Sequence, residues 1–210
     1  VQLESLQTVW RGVEPVEDLL PDEKTDARIL SPRVSPDGET LYCTVRDPGG
    51  KADIWRSHLQ GRWRHLEPVA ELNSDANDIG AAVTTDGQSL FFYSDREGGS
   101  GGFDLYVAKS SDTGWSEPVN LGPRLNTAAD EYDPAISRDG RTLYFSSDRT
   151  RAMAQRAASY DEDTDGEVHT LASVEERLAR ASFDLYTTHR KHGDQPWPPA
   201  QPLASLNSEH

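Results

Sequence analysis

The stretch DPAISRDGRTLYFSSDR, residues 133–149, decides how this chain is read. Apolar strings flank an Asp-Gly pair, and a polar Asp-Arg pair closes the phrase. Nearly the same phrase occurs as SPRVSPDGETLYCTVRD from Ser31 and as IGAAVTTDGQSLFFYSDR from Ile79. The Asp-Gly pairs stand at Asp37-Gly38, Asp86-Gly87 and Asp139-Gly140, a period of about 50 residues, within the range of tandem structural repeats.

Two further phrases follow in fixed order. ADIW (52–55), FDLY (103–106) and FDLY (183–186) come first. WRHLEPVAELN (63–73), WSEPVNLGPRLN (115–126) and WPPAQPLASLN (197–207) come next, each with a Trp, a Pro, an apolar pair and an Asn. Each unit reads as four short strands. Strand A precedes Asp-Gly, which signals a two-residue hairpin because Gly tolerates positive φ. Strand B is the TLYFSS type and strand C the FDLY type. Strand D carries a Pro, which suits an outer edge with no ladder bond to donate. Four strands per repeat match the blades of a β-propeller rather than an antiparallel sandwich. The fold class expected is all-β: a partial propeller of three four-stranded antiparallel blades plus one outer strand.

The expected boundaries are an outer strand and connector over 1–30, blade one over 31–78, blade two over 79–132 and blade three over 133–210. WRGVEPVEDLLP from Trp10 repeats the strand D phrase, so Trp10 to Leu20 reads as the outer strand of a preceding blade. Flanking blades, or an oligomeric partner, are expected to complete the ring. Leu41 and Leu143 are expected to need such neighbours. Cys43 falls where Phe92 and Phe145 stand in the other units, so it reads as a small buried hydrophobe rather than a nucleophile. The recurring Trp residues read as core.

Charge narrows the function. Lys and Arg total 21 against 36 Asp and Glu, a formal charge of -15. That balance opposes binding to nucleic acid, which needs clustered cations. No apolar run approaches the length of a membrane helix, so membrane insertion is not expected.

The SPDGETLY, RDGRTLYFSSDR, GGFDLYVAKSSDTGWSEPVNLGPRLNTAADEYDP and FDLYTTHR segments resemble the TolB-type WD-repeat-like propellers of bacteria. The stretch from Gly101 to Arg149 is especially similar to repeats attached to envelope proteins of the OmpA type. The resemblance implies a non-catalytic scaffold for protein–protein binding, in the periplasm or otherwise outside the cytoplasm, with an envelope or peptidoglycan-associated protein as partner. Related repeats also sit beside peptidases and on receptor-like kinases. The alternatives are therefore an accessory propeller of a hydrolase or the sensor segment of a kinase.

The third unit departs from the pattern: the interval between Asp139-Gly140 and FDLY is far longer than in the other two. Residues 150–182 read as a helical insertion, with SVEERLARAS forming a second helix behind a capping box at Ser173 and Glu176. Between the helix formers, Asp161, Asp163, Asp165, Gly166 and Glu167 match the first half of a calcium-binding loop. Ala172 stands where the bidentate Glu belongs, so Glu175 is the expected substitute and the expected affinity for calcium is low. No cofactor is otherwise required. GGSGG (98–102) reads as a flexible connector, since it lacks the Lys-Ser/Thr and helix of a phosphate loop. No nucleophile–base set is legible, so the chain is not expected to be an enzyme.

In an up-and-down blade the D-to-A and B-to-C connections share one face. The residues expected there are Asp75, Asp78, Asp130, Glu131 and Asp133, with Glu162 from the insertion. Together they form an expected acidic docking face for a basic protein segment or a cation. The opposite C-to-D turns carry His58, Arg62, Lys109, Arg190 and Lys191.

Overall fold

The structure is a computed structural model, and it describes residues 19–21, 24, 26–149 and 183–207. The expected helices of 150–182, the calcium-loop residues Asp161, Asp163, Asp165, Glu167 and Glu175, and Glu162 lie outside the described residues. So does most of the expected first outer strand. Its last two residues, Leu19 and Leu20, are not strand.

The described chain is all-β. Strands β1 (Arg28–Val34), β2 (Thr40–Arg46), β3 (Ala52–His58) and β4 (Glu67–Pro68) form the first antiparallel sheet in sequential order. Strands β5 (Asp78–Val83), β6 (Ser89–Ser94) and β7 (Asp104–Ser111) build the second. Its outer strand comes in two pieces, β8 (Gly114–Trp115) and β9 (Val119–Asn120), both paired with β7. Strands β10 (Glu131–Ile136), β11 (Thr142–Ser147), β12 (Asp184–His189) and β13 (Gln201–Pro202) form the third. These are the four-stranded meanders that the repeat phrases predict, stacked face to face like propeller blades.

The stacking is set by strand alternation. Side chains on opposite faces of one strand serve different neighbours. On β6, Leu90 and Phe92 pack with Tyr42, Ile54, Val69 and Leu72 of the first sheet. Phe91 and Tyr93 pack with Tyr132, Leu143 and Phe145 of the third. Each such side chain fully buried contributes about 1.5–3 kcal/mol. The near face of the first sheet, with Leu41, Cys43, Val45 and Trp55, is covered by Leu19, Leu20, Ile29 and Trp63. Cys43 is 3% exposed, and burial pushes its thiol up to about 11, the behaviour of an inert core residue.

Leu41 and Leu143 are both buried, which corrects the expectation that they would mark open blade faces. The open positions are Tyr144 and Leu185, 41% and 37% exposed. Register places them where Phe91 and Leu105 sit in the second sheet, and those two are buried against the third sheet.

The Asp-Gly turns also differ from expectation. The hairpins close at Ser35–Thr40, Thr84–Ser89 and Ser137–Thr142, with four residues in each loop. Only the glycines Gly38, Gly87 and Gly140 take positive φ, so these are not the mirror-image two-residue turns. The Asp does a different job. Asp37, Asp86 and Asp139 each accept from the hydroxyl two residues earlier and from the backbone N–H two residues later. Those hydrogen bonds hold all three carboxyls below their usual pKa.

The Asn that ends each unit is a backbone clamp. Asn73 accepts from the Ile54 N–H at 2.8 Å and donates to the Ile54 carbonyl at 2.9 Å. Asn126 does the same at Leu105 (2.9 and 3.0 Å) and Asn207 at Leu185 (2.7 and 3.1 Å). One amide thus satisfies strand C where strand D has ended. Asn126→Leu keeps the volume but strands the buried Leu105 N–H, at about 1–3 kcal/mol, while the Leu105 carbonyl keeps its bond from the Leu121 N–H. We expect it to destabilise the chain well beyond Asn207→Leu, whose backbone partner water can reach. Denaturant titration of both variants checks this, and equal losses would contradict the clamp.

Candidate functional site

The expected acidic face divides into two kinds of residue. Asp78 and Glu131 are not loop residues. They open β5 and β10 and are wholly buried. Each is half of an ion-pair lock. The Arg96 guanidinium donates to the Asp78 carboxylate and to the Leu72 carbonyl at 2.6 Å. It also lies 4.9 Å from the ring centre of Tyr106 and 5.2 Å from that of Phe92. Arg149 repeats the arrangement on Glu131 (3.1 Å), the Leu125 carbonyl (2.8 Å) and the rings of Tyr186 (4.2 Å) and Phe145 (5.3 Å). Leu72 and Leu125 end the preceding repeat, so each arginine ties one sheet to the tail of the sheet before it.

Glu131 also accepts from the Thr127 N–H, the Thr127 hydroxyl and the Ser147 hydroxyl. Burial still dominates and pushes its carboxyl up to about 7, against those hydrogen bonds and the Arg149 charge. Buried, raised carboxylates are candidates for acid–base work. Here both carboxylate oxygens are committed to the lock.

Asp130 is half-buried and structural too. It accepts from the Phe103 N–H at 2.8 Å and the Tyr132 hydroxyl at 2.9 Å. Its counterpart Asn77 makes the equivalent bond to the Ala52 N–H at 3.0 Å.

Asp75 and Asp133 are different. Both are exposed. Neither recurs: the place of Asp75 is taken by Ala128 in the next repeat, and Asp133 aligns with Ser31 and Gly80. Those last three share a second property that the sequence does not advertise. Each sits at a bulge in strand A with left-handed backbone, φ being 48° at Ser31, 72° at Gly80 and 48° at Asp133. Gly80 avoids the strain. Ser31 and Asp133 bear it, at about 1–3 kcal/mol each. Bulges of this kind re-aim a side chain away from the regular pleat. Partial burial raises the Asp133 carboxyl above its ordinary pKa, and the Arg33 guanidinium on β1 offsets part of that rise. A Pro follows Ser31 and Asp133, but it favours extended backbone before it, so it does not announce the left-handed φ.

GGSGG is not a loose connector. A Cβ on Gly101 would lie 2.0 Å from the Ala129 carbonyl oxygen, so this glycine permits close packing of two backbones. Among the described residues no group of His, Cys, Asp and Glu is arranged to hold a metal ion. No helix among them is long and apolar enough to cross a membrane.

No family model and no curated protein matches the chain. Solved structures similar to it include TolB from Acinetobacter baumannii, with a TM-score of 0.47 and 16% identity over 84% of this chain and 32% of that one. Putative TolB from Agrobacterium tumefaciens is similar at a TM-score of 0.47 and 16% identity, over 90% of this chain and 50% of that one. The tricorn protease is similar at 0.43 and 11% identity, over 84% and 17%. The chain thus spans half or less of the length of each.

The lock makes a pH prediction. The folded Glu131 carboxyl, at about 7, holds its proton more tightly than the ordinary carboxyl at 4.5. Its contribution to stability is therefore complete below about pH 4.5 and is lost as pH rises through about 7. Relative to Glu131→Gln, the unmodified chain should lose stability across that window. Denaturant midpoints at stepped pH measure it, and parallel curves would contradict the raised carboxyl.

Proposed function

We propose that this chain is a non-enzymatic β-propeller scaffold that binds a protein partner in the bacterial cell envelope. The observation that carries the reading is a division of labour among acidic residues. Those that recur between repeats, Asp78 and Glu131, are consumed by internal ion pairs. Those that break the repeat, Asp75 and Asp133, are presented to solvent on a rigid frame. Loops and bulges on such a frame are where binding residues concentrate. The partner should offer a basic segment, since the chain carries a charge of -15. The TolB-type repeat phrases support the envelope setting. Calcium held by Asp161, Asp163 and Asp165 remains part of the proposal, as a low-affinity addition to the same face.

The test is a pull-down from envelope extract with the full-length protein and its Asp75→Asn/Asp133→Asn variant. Asn keeps the shape at both sites and tolerates left-handed backbone at 133. Partner recovery should fall in the variant and should fall with salt in the parent. Equal recovery from two equally folded proteins would overturn the docking face. A hydrolase or kinase domain encoded in the same gene would overturn the scaffold reading.

A further inference from the structure

A second site stands on the opposite side of the first sheet, where β3 turns into β4. A cleft of about 350 Å³ is lined by Arg56, Ser57, His58, Gln60, Arg62, Arg64, His65 and Glu67. Three arginines and two histidines thus face one carboxylate. This is an unusual grouping in a chain where 36 acidic residues outnumber 21 lysines and arginines. With carboxylates in such excess, an arginine readily finds one. Arg56 does, pairing with Glu67 at 2.9 Å and Glu71 at 3.6 Å. Arg62 and Arg64 pair with no carboxylate among the described residues, and both are exposed at the cleft.

Their backbones are nonetheless held in place. The buried Ser57 hydroxyl donates to the Arg64 carbonyl at 2.6 Å and accepts from the Arg64 N–H at 3.1 Å. The Gln60 N–H donates to the Arg62 carbonyl at 3.3 Å, closing a small bridge. His65, immediately after Arg64, has left-handed backbone, φ 48°, a strained conformation for a non-glycine residue. The anchoring bond recurs in the third unit, where the Thr188 hydroxyl donates to the Pro198 carbonyl at 2.8 Å, but the cationic side chains do not. After the equivalent tryptophans the second and third units have Ser116-Glu117 and Pro198-Pro199.

We infer that this cleft is an anion site, and that it takes the oxyanion group, phosphate or carboxylate, of a small soluble ligand. The guanidinium fork matches the geometry of both groups and binds them through paired N–H donors. The volume lies at the small end of ligand pockets, about 300–1,000 Å³. The lining is too polar for an apolar ligand, and the strongly acidic remainder of the surface disfavours a long polyanion. The site is separate from the acidic docking face and does not depend on it.

The experiment is calorimetric titration of the full chain with inorganic phosphate and, separately, with citrate, at constant ionic strength. The variants are Arg62→Gln/Arg64→Gln, which alters only exposed side chains, and Lys191→Gln as a distant cationic control. Saturable one-to-one binding of either anion, weakened at least tenfold in the double variant and unchanged in the control, would support the site. The anion that saturates identifies phosphate or carboxylate as the preferred group. No saturable heat with either anion, or equal binding by parent and double variant, would overturn it. Neither result bears on partner recovery by the Asp75→Asn/Asp133→Asn protein.

Discussion

A half-buried arginine, stacked on aromatic strand residues and paired with a buried carboxylate of its own sheet, reaches back to the last leucine carbonyl of the preceding repeat in the second and third sheets. In the second and third sheets the cation is Arg96 or Arg149, the carboxylate Asp78 or Glu131, and the ring Tyr106 or Tyr186. The first sheet solves the same problem with the charges exchanged. Asp47 occupies the arginine position, and Lys24 supplies the cation from before β1, 2.6 Å from Asp47 and 5.9 Å from the centre of the Trp55 ring. Ile29 and Val45 then replace the Asp78–Ser94 pair by an apolar one. In this first unit the cation over the ring is compensated by a carboxylate at the arginine position, with both side chains about a third exposed. A charge buried alone costs far more than the pair gains, so swapping both members together is tolerated where losing one is not.

Much of the architecture was legible in the sequence because it repeats. Alternating apolar residues around Asp-Gly, the FDLY phrase and the Trp-Pro-Asn phrase gave the strands and their order. The residue-level roles were less legible. The polar junction before strand A makes Asp78 and Glu131 look like loop acids, yet both begin the strand and are wholly buried. The signal was present: each acid in strand A is matched by Arg two residues after strand B, and the first unit lacks both. Asp-Gly predicts a two-residue hairpin, and the structure has four-residue loops instead. The capping carboxylate makes the longer loop stable without left-handed backbone at Asp. The bulges at Ser31, Gly80 and Asp133 leave almost no trace in composition, since Ser, Gly and Asp have only backbone conformation in common there.

The repeat also separates structure from function. Residues that return in every unit, the clamps Asn73, Asn126 and Asn207 among them, are accounted for by hydrogen bonds inside the fold. Residues that appear once and reach solvent have no such account. Asp75 and Asp133 lie on one side of this division, and the cationic cleft around Arg62 and Arg64 lies there too. A scaffold of identical frames can vary these positions at little cost to stability, which is why loops and turns carry specificity on repeat proteins.

The central claim, that the buried carboxylate holds the arginine which reaches back to the preceding repeat, is tested most directly by a double-mutant cycle on Glu131 and Arg149. Stability would be measured by denaturant titration for the parent, Glu131→Met, Arg149→Met and the double variant. Well above pH 7, where the Glu131 carboxyl is ionised, Arg149→Met leaves a wholly buried carboxylate without its cation and should cost about 3–5 kcal/mol. The double variant should recover most of that loss, because two well-packed thioethers leave no charge behind. Single losses that simply add in the double variant would contradict the lock.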